Sequence, residues 1–211
     1  MEHIVQGTPE WFAARLGRVT ASRVADILAK TKSGPSASRA NYMSQLICER
    51  LTGRREEAFT NAAMQWGTEK EPDARAAYQF YRDALVVEVG FVIHPHIQMS
   101  GASPDGLVGD VGLVEIKCPN TTAHIEALIG QCVPAKYLPQ MQWQMACTGR
   151  QWCDFVSFDP RMPEEMRLFT QRVERDAAYI ADVEIEVSMF LSELDAKLAR
   201  LRELHDQRRA A

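Results

Sequence analysis

The stretch that decides the reading of this chain is Ser103-Pro104-Asp105-Gly106, followed by Glu115-Ile116-Lys117. Asp-Gly marks a turn. Residues 99–102 and 106–108 read as strands on either side of it, 112–117 as the strand after them, and Pro119 stops that last one. In a strand, residues two apart point to the same face, so Glu115 and Lys117 project together. If the two segments pair as a hairpin, Asp105 reaches the same rim of the sheet. Two carboxylates with oxygen donors nearby suit Mg²⁺. A metal held there polarises a phosphodiester and activates water, and a second ion stabilises the leaving oxygen. The lysine would orient the water, or accept its proton if the site depresses its pKa. On spacing alone, the trio fits a strand-borne Glu115–Lys117 salt bridge beside a turn aspartate equally well.

Working outward, residues 86–94 are rich in β-branched side chains and read as a strand, as do 99–102, 152–158 and 166–173. Helical patterning covers 41–51, 61–66, 71–81, 122–129 and 139–147. Thr8-Pro9-Glu10 opens a first helix that ends at Gly17, and Thr20-Ala21-Ser22 opens a second. Residues 31–39, rich in Ser, Gly and Lys, read as a mobile loop. From about residue 176 to 208 runs a long amphipathic helix with Ile180, Val183, Val187, Phe190, Leu194, Leu198 and Leu201 on one stripe, and a frayed end at 207–211. The order predicts one α/β domain over 1–211, a central mixed sheet flanked by helices.

The 211 residues include 46% hydrophobic and 25% charged, ordinary for a globular chain. The net charge of -4 argues against a protein that coats DNA, but not against an enzyme with cations gathered along one groove. No apolar run is long enough to span a bilayer, and the first residues lack a signal peptide's pattern, so a cytoplasmic protein is expected. Five cysteines, odd in number and without C-x-x-C spacing, argue against a disulfide framework and a zinc ribbon.

Other motifs stand in order around the trio: Trp11-x-x-x-Arg15-Leu16-Gly17, Thr20-Ala21-Ser22, Trp66-Gly67, Glu71, Asp73-Ala74-Arg75, Gln140-x-Gln142 and Asp159-Pro160-Arg161-Met162. With Asp105, Glu115 and Lys117 they resemble the phage lambda exonuclease (YqaJ-type viral recombinase) family of PD-(D/E)xK nucleases, over roughly residues 8 to 190. The resemblance implies a restriction-endonuclease-like fold and a 5′→3′ exodeoxyribonuclease acting on double-stranded DNA ends. It implies Asp105, Glu115 and the Ile116 carbonyl as metal ligands and Lys117 as the catalytic lysine. Glu71 matches a helix-borne glutamate near the metals, and Gln140 a glutamine that helps place the water. Arg15 and Ser22 match a pocket for the 5′-phosphate. The implied cofactor is Mg²⁺, two ions, with Mn²⁺ equally suited to oxygen ligands. The implied partners are a homotrimeric ring and a single-strand annealing protein that takes the 3′ overhang.

The phosphate pocket also has a physical basis, because helix N-termini bind anions and arginine clamps phosphate through two N–H groups. Plain N-capping by Thr20 or Ser22, with Arg15 solvated, is the alternative. His94-Pro95-His96 reads as a strand-end loop with solvated imidazoles. Trp11 and Trp66 read as core anchors, and Gln142 and Gln144 as two solvated glutamines on a partly buried helix. Lys30, Lys32 and Arg39 fit DNA-phosphate contacts as well as solvated loop cations. Two rival functions share the fold: a structure-specific DNA endonuclease, and a non-catalytic DNA-end-binding protein.

Overall fold

A computed structural model describes residues 4–32, 34–55 and 61–210, with Ala211, the last residue of the expected frayed end, outside them. In chain order they form α1 (Pro9–Arg15), β1 (Val19–Thr20), α2 (Val24–Leu28), β2 (Lys30–Thr31), β3 (Gly34–Pro35), α3 (Ala37–Thr52) and α4 (Ala62–Arg82). The strands β4 (Val86–Val87), β5 (Val92–Ile93), β6 (Ser100–Ala102), β7 (Gly106–Val108) and β8 (Gly112–Lys117) follow. Then come α5 (Thr121–Gly130), α6 (Leu138–Thr148), β9 (Trp152–Phe158), β10 (Leu168–Glu174) and α7 (Ala177–Ala210).

The expected central mixed sheet is five-stranded, in the order β10-β9-β8-β7-β4. β8 and β9 run parallel and the other pairs antiparallel. β8 is buried on both faces, which suits Leu113, Val114 and Ile116 around its charged Glu115. Val114 and Ile116 pack with Ala74 and Tyr78 of α4 on one face. Leu113 packs with Met141 and Met145 of α6 and Ala127 of α5 on the other. A third cluster joins α2, α3 and α7 through Ile27, Leu46, Val187, Phe190 and Leu194.

The hairpin of β7 and β8 is in place, with Gly106 opposite Val114. That register sets Asp105 across from Glu115. Gly106 has no room for a side chain, since a Cβ there would lie 2.0 Å from a methyl of Val86. Gly106→Ala is therefore expected to destabilise the fold by about 1–3 kcal/mol in urea melts, through overpacking at the site's rim.

Several expectations need correction. Thr20-Ala21-Ser22 opens the second helix only through a 3₁₀ turn (Ala21–Arg23), which runs into α2 and has no side-chain cap at Thr20. Pairing of β1 with β6, anchored by Val19 and Ala21 in the core, holds Thr20 in a strand and delays the regular helix to Val24. Residues 61–82 form one helix rather than two: Pro72 sits inside α4 and removes one backbone donor, while Ala74 and Tyr78 still pack on the sheet. The expected strand at 86–94 splits between two sheets at Gly90, where a Cβ would meet the Ile4 carbonyl at 2.2 Å. The 31–39 segment contains the β2–β3 pairing and the start of α3, so it is not a plain loop.

His94 is buried, not solvated. It stacks on Trp143 at 4.7 Å, and its Nε2 lies 3.1 Å from Glu184 Oε1. Its Nδ1 accepts the backbone N–H groups of His96 and Ile97, so Nε2 carries the hydrogen and donates to Glu184. Burial pulls its pKa down. The five cysteines are free. No described helix is long and apolar enough to cross a membrane.

Candidate nuclease site

Alternation along β8 aims Glu115 and Lys117 at the face covered by α6, as the strand period requires. Glu115 is 0% exposed, and a carboxylate so deeply buried needs partners. It pairs closely with the Lys117 ammonium through Oε1. Gln140 Nε2 donates to the same oxygen at 2.5 Å. Gln144 Nε2 donates to Oε2 at 2.6 Å. Asp105, at the turn before β7, accepts the Ile116 N–H at 2.6 Å. Glu71, on α4, pairs with Arg75 one helical turn later at 2.6 Å. Arg75 also holds Glu88 at 2.5 Å.

The electrostatics tie these groups into one site. Burial pushes the Asp105 carboxyl well above the usual range, and the charge of Glu115 adds to the rise. Burial raises Glu71 as well; Arg75 opposes the rise, and Glu115 contributes to it. Burial alone would lower Lys117, but the carboxylates of Glu115 and Asp105 outweigh it and hold the ammonium above the ordinary lysine value. In this arrangement Lys117 is a proton-bearing donor, suited to orienting a water or steadying a leaving oxygen. Its ammonium also lies 5.4 Å from the Tyr137 ring centre.

The crowded carboxylates fit a hard divalent cation, whose charge would relieve their mutual repulsion. Among the described residues, no three His, Cys, Asp or Glu side chains gather as a ready metal cluster. The donors that the resemblance implies are Asp105, Glu115 and the Ile116 carbonyl, with water filling the rest, a pattern that would suit Mg²⁺.

A second feature lies beside this rim. Arg15 Nη1 donates to Ser103 Oγ at 3.1 Å, two residues before Asp105. The same hydroxyl accepts Trp11 Nε1 at 2.9 Å, and the guanidinium stacks on the Trp11 ring at 4.1 Å. Trp11 is therefore half-buried beside Arg15 and not a plain core anchor. Among the described residues Arg15 makes no ion pair with a carboxylate, and burial draws its pKa down to about 10, still a cation at neutral pH. It lines a cavity of about 570 Å³ with Ser22, Arg18, Arg23 and Arg55. The structure thus brings Arg15 and Ser22 together. Because the segment at Ser22 is a 3₁₀ turn, the attraction for an anion rests on guanidinium groups and not on a helix dipole.

Asp159-Pro160-Arg161 acts as a brace. Arg161 grips the Asp159 carboxylate through two nitrogens, at 2.7 and 2.9 Å, and reaches the Pro119 carbonyl behind Lys117 at 3.3 Å. Burial opposes ionisation of Asp159, yet hydrogen bonds from Arg161 and Thr121 hold its carboxyl at about 2. Arg161 also stacks on Trp66 at 4.6 Å. Two of the three loop cations are paired elsewhere: Lys30 with Glu186 and Arg39 with Glu193, both on α7.

The residue missed by sequence reasoning is Gln144. Gln140 and Gln144 lie four apart on one face of α6 and both reach Glu115. Gln142 points the other way, to the Glu174 carbonyl and the Asp176 N–H.

Residues 10–151 match the model of the YqaJ-like viral recombinase domain, about two thirds of the chain. The chain belongs to the YqaJ-like viral recombinase family. Among solved structures, the alkaline exonuclease LHK-Exo of Laribacter hongkongensis is 58% identical, covering 95% of this chain and 99% of that one with a TM-score of 0.89. A crystal structure of LHK-Exo in complex with dAMP is similar at 57% identity and the same coverage, with a TM-score of 0.90. A phage-related exonuclease of Haemophilus somnus 129PT, 16% identical over 87% of this chain and 96% of that one, shares the fold at a TM-score of 0.67. Comparison with curated proteins gives no match. For this YqaJ-family chain, the α/β fold with a central mixed sheet is that of the alkaline exonuclease structures.

Proposed function

We propose that this chain is a metal-dependent 5′→3′ exodeoxyribonuclease that acts on double-stranded DNA ends, releases 5′-mononucleotides and leaves 3′ single-stranded overhangs for recombination. One observation carries the reading. Asp105, Glu115 and Lys117 converge at one rim of the sheet, with Glu71 and Gln140 among their neighbours, in a chain 57% identical to an alkaline exonuclease.

Asp105, Glu115 and the Ile116 carbonyl would hold Mg²⁺, two ions on the family's pattern, with Mn²⁺ as a substitute. The bound cation supplies a polarised phosphodiester and an activated water. The chain's own groups do the rest. Gln140 and Lys117, both on Glu115 Oε1, are placed to orient that water, and Lys117 offers a proton-bearing donor to developing negative charge. Arg15 and Ser22 would seat the 5′-phosphate of the end, setting the register of each cut. The family likeness further supports a homotrimeric ring around DNA, a single-strand annealing partner and a cytoplasmic setting.

The test compares linear and covalently closed duplex of one sequence, with Mg²⁺ or with EDTA. Acid-soluble nucleotides are expected only from linear DNA with Mg²⁺. Release from closed circles would favour an endonuclease, and binding to ends without hydrolysis would favour the non-catalytic alternative.

A further inference from the structure

Glu115 is held from two sides that differ in exposure. Its Oε1 meets Lys117, whose side chain is 27% exposed, and Gln140, which is partly exposed. Its Oε2 meets only Gln144 among the hydrogen bonds and ion pairs of the described residues, and Gln144 is 0% exposed. The Gln144 amide cannot turn over without loss. Its nitrogen must face the carboxylate, which only accepts, and its oxygen faces the Cys153 thiol at 4.0 Å. Cys153 is itself fully buried. Oε1 is thus the oxygen on the more exposed side, beside Lys117 and Gln140, and Oε2 is closed off by the buried Gln144 amide.

We propose that Gln144 is a positioning residue that anchors Glu115 Oε2 and thereby sets the cation affinity of the site, leaving Oε1 as the oxygen offered to the ion. The inference rests on reading Asp105 and Glu115 as metal ligands. Partners that orient a ligating carboxylate typically change metal affinity by about 10- to 100-fold when removed. Gln144 would act in this way through Glu115, with no contact to the substrate. Its place on α6, one turn from Gln140, makes that helix the scaffold for both oxygens.

The experiment titrates Mn²⁺ into the full-length protein by calorimetry, without DNA, so no turnover enters the readout. Gln144→Met keeps the volume and removes the donor. Gln142→Met is the control, an equally helical and buried glutamine turned away from Glu115. Gln144→Met is expected to weaken Mn²⁺ binding by about 10- to 100-fold, with the Mg²⁺ concentration for half-maximal hydrolysis rising in parallel. Gln142→Met is expected to bind within about twofold of the parent chain, since a residue outside the ligand's hydrogen-bond shell adds little to metal affinity. Unchanged affinity in Gln144→Met, or equal weakening in both variants, would overturn the proposal. If Gln144→Met does not fold, Gln144→Asn is titrated in its place. Failure of both to fold marks a plain core residue and likewise overturns it. A parent chain that binds no Mn²⁺ defeats the metal reading itself, and the anchor with it.

Discussion

Lys117→Ala is expected to lower hydrolysis of linear duplex by about 10²- to 10⁴-fold, the usual worth of a positioned proton-bearing group. DNA binding should persist, because the cations that line the Arg15 cavity are untouched. The variant also strips Glu115 of its ion-pair partner. Breaking a buried pair costs about 3–5 kcal/mol when the remaining charge has no other partner. Here Gln140 and Gln144 still donate to Glu115, so the loss of stability should be smaller and the protein should remain folded. Activity is read as acid-soluble nucleotide release, and folding by circular dichroism. Full activity in a folded Lys117→Ala protein would remove the lysine from the mechanism.

Arg15→Ala is expected to separate two kinds of DNA end. Charge-assisted hydrogen bonds to phosphate contribute about 1.5–3 kcal/mol. Digestion from 5′-phosphorylated ends should therefore fall by about 10- to 100-fold. Ends carrying a 5′-hydroxyl make no such contact and should change much less. Arg15→Lys keeps the charge but not the planar fork, and should fall between the two. The pH dependence follows from the site. Burial disfavours the charged form of Arg15, but a guanidinium keeps its proton across the working range, so the preference for phosphorylated ends should persist through neutral and mildly alkaline pH. Equal loss on both kinds of end would refute the pocket.

Much of the site was legible because strand geometry is strict. Glu-x-Lys on a strand puts both side chains on one face, and the β7–β8 hairpin brought Asp105 to the same rim. Other parts were hidden for identifiable reasons. Gln144 was masked by the alternating Gln140, Gln142 and Gln144, a pattern of two that on a helix splits into opposite faces. The i, i+4 spacing of Gln140 and Gln144 was the signal available. His94 looked solvated because its lid, Trp143, comes from a helix far along the chain. Lys30 and Arg39 looked available to DNA because their partners on α7 are more than a hundred residues away in sequence. The Thr20-Ala21-Ser22 signal was local, and sheet pairing of Thr20 delays the regular helix to Val24. The two helices expected at 61–66 and 71–81 are one, because apolar packing of α4 on the sheet outweighs the donor missing at Pro72.

The central claim is hydrolysis from a 5′ end at a metal held beside Lys117. Its most direct test is a linear duplex labelled at one 5′ end, incubated with the protein and Mg²⁺ and sampled from the first seconds. The account predicts that the label appears at once as a mononucleotide, only with Mg²⁺, and faster from a phosphorylated end. Label released first as a longer oligonucleotide, or retained while the 3′ end shortens, would contradict it.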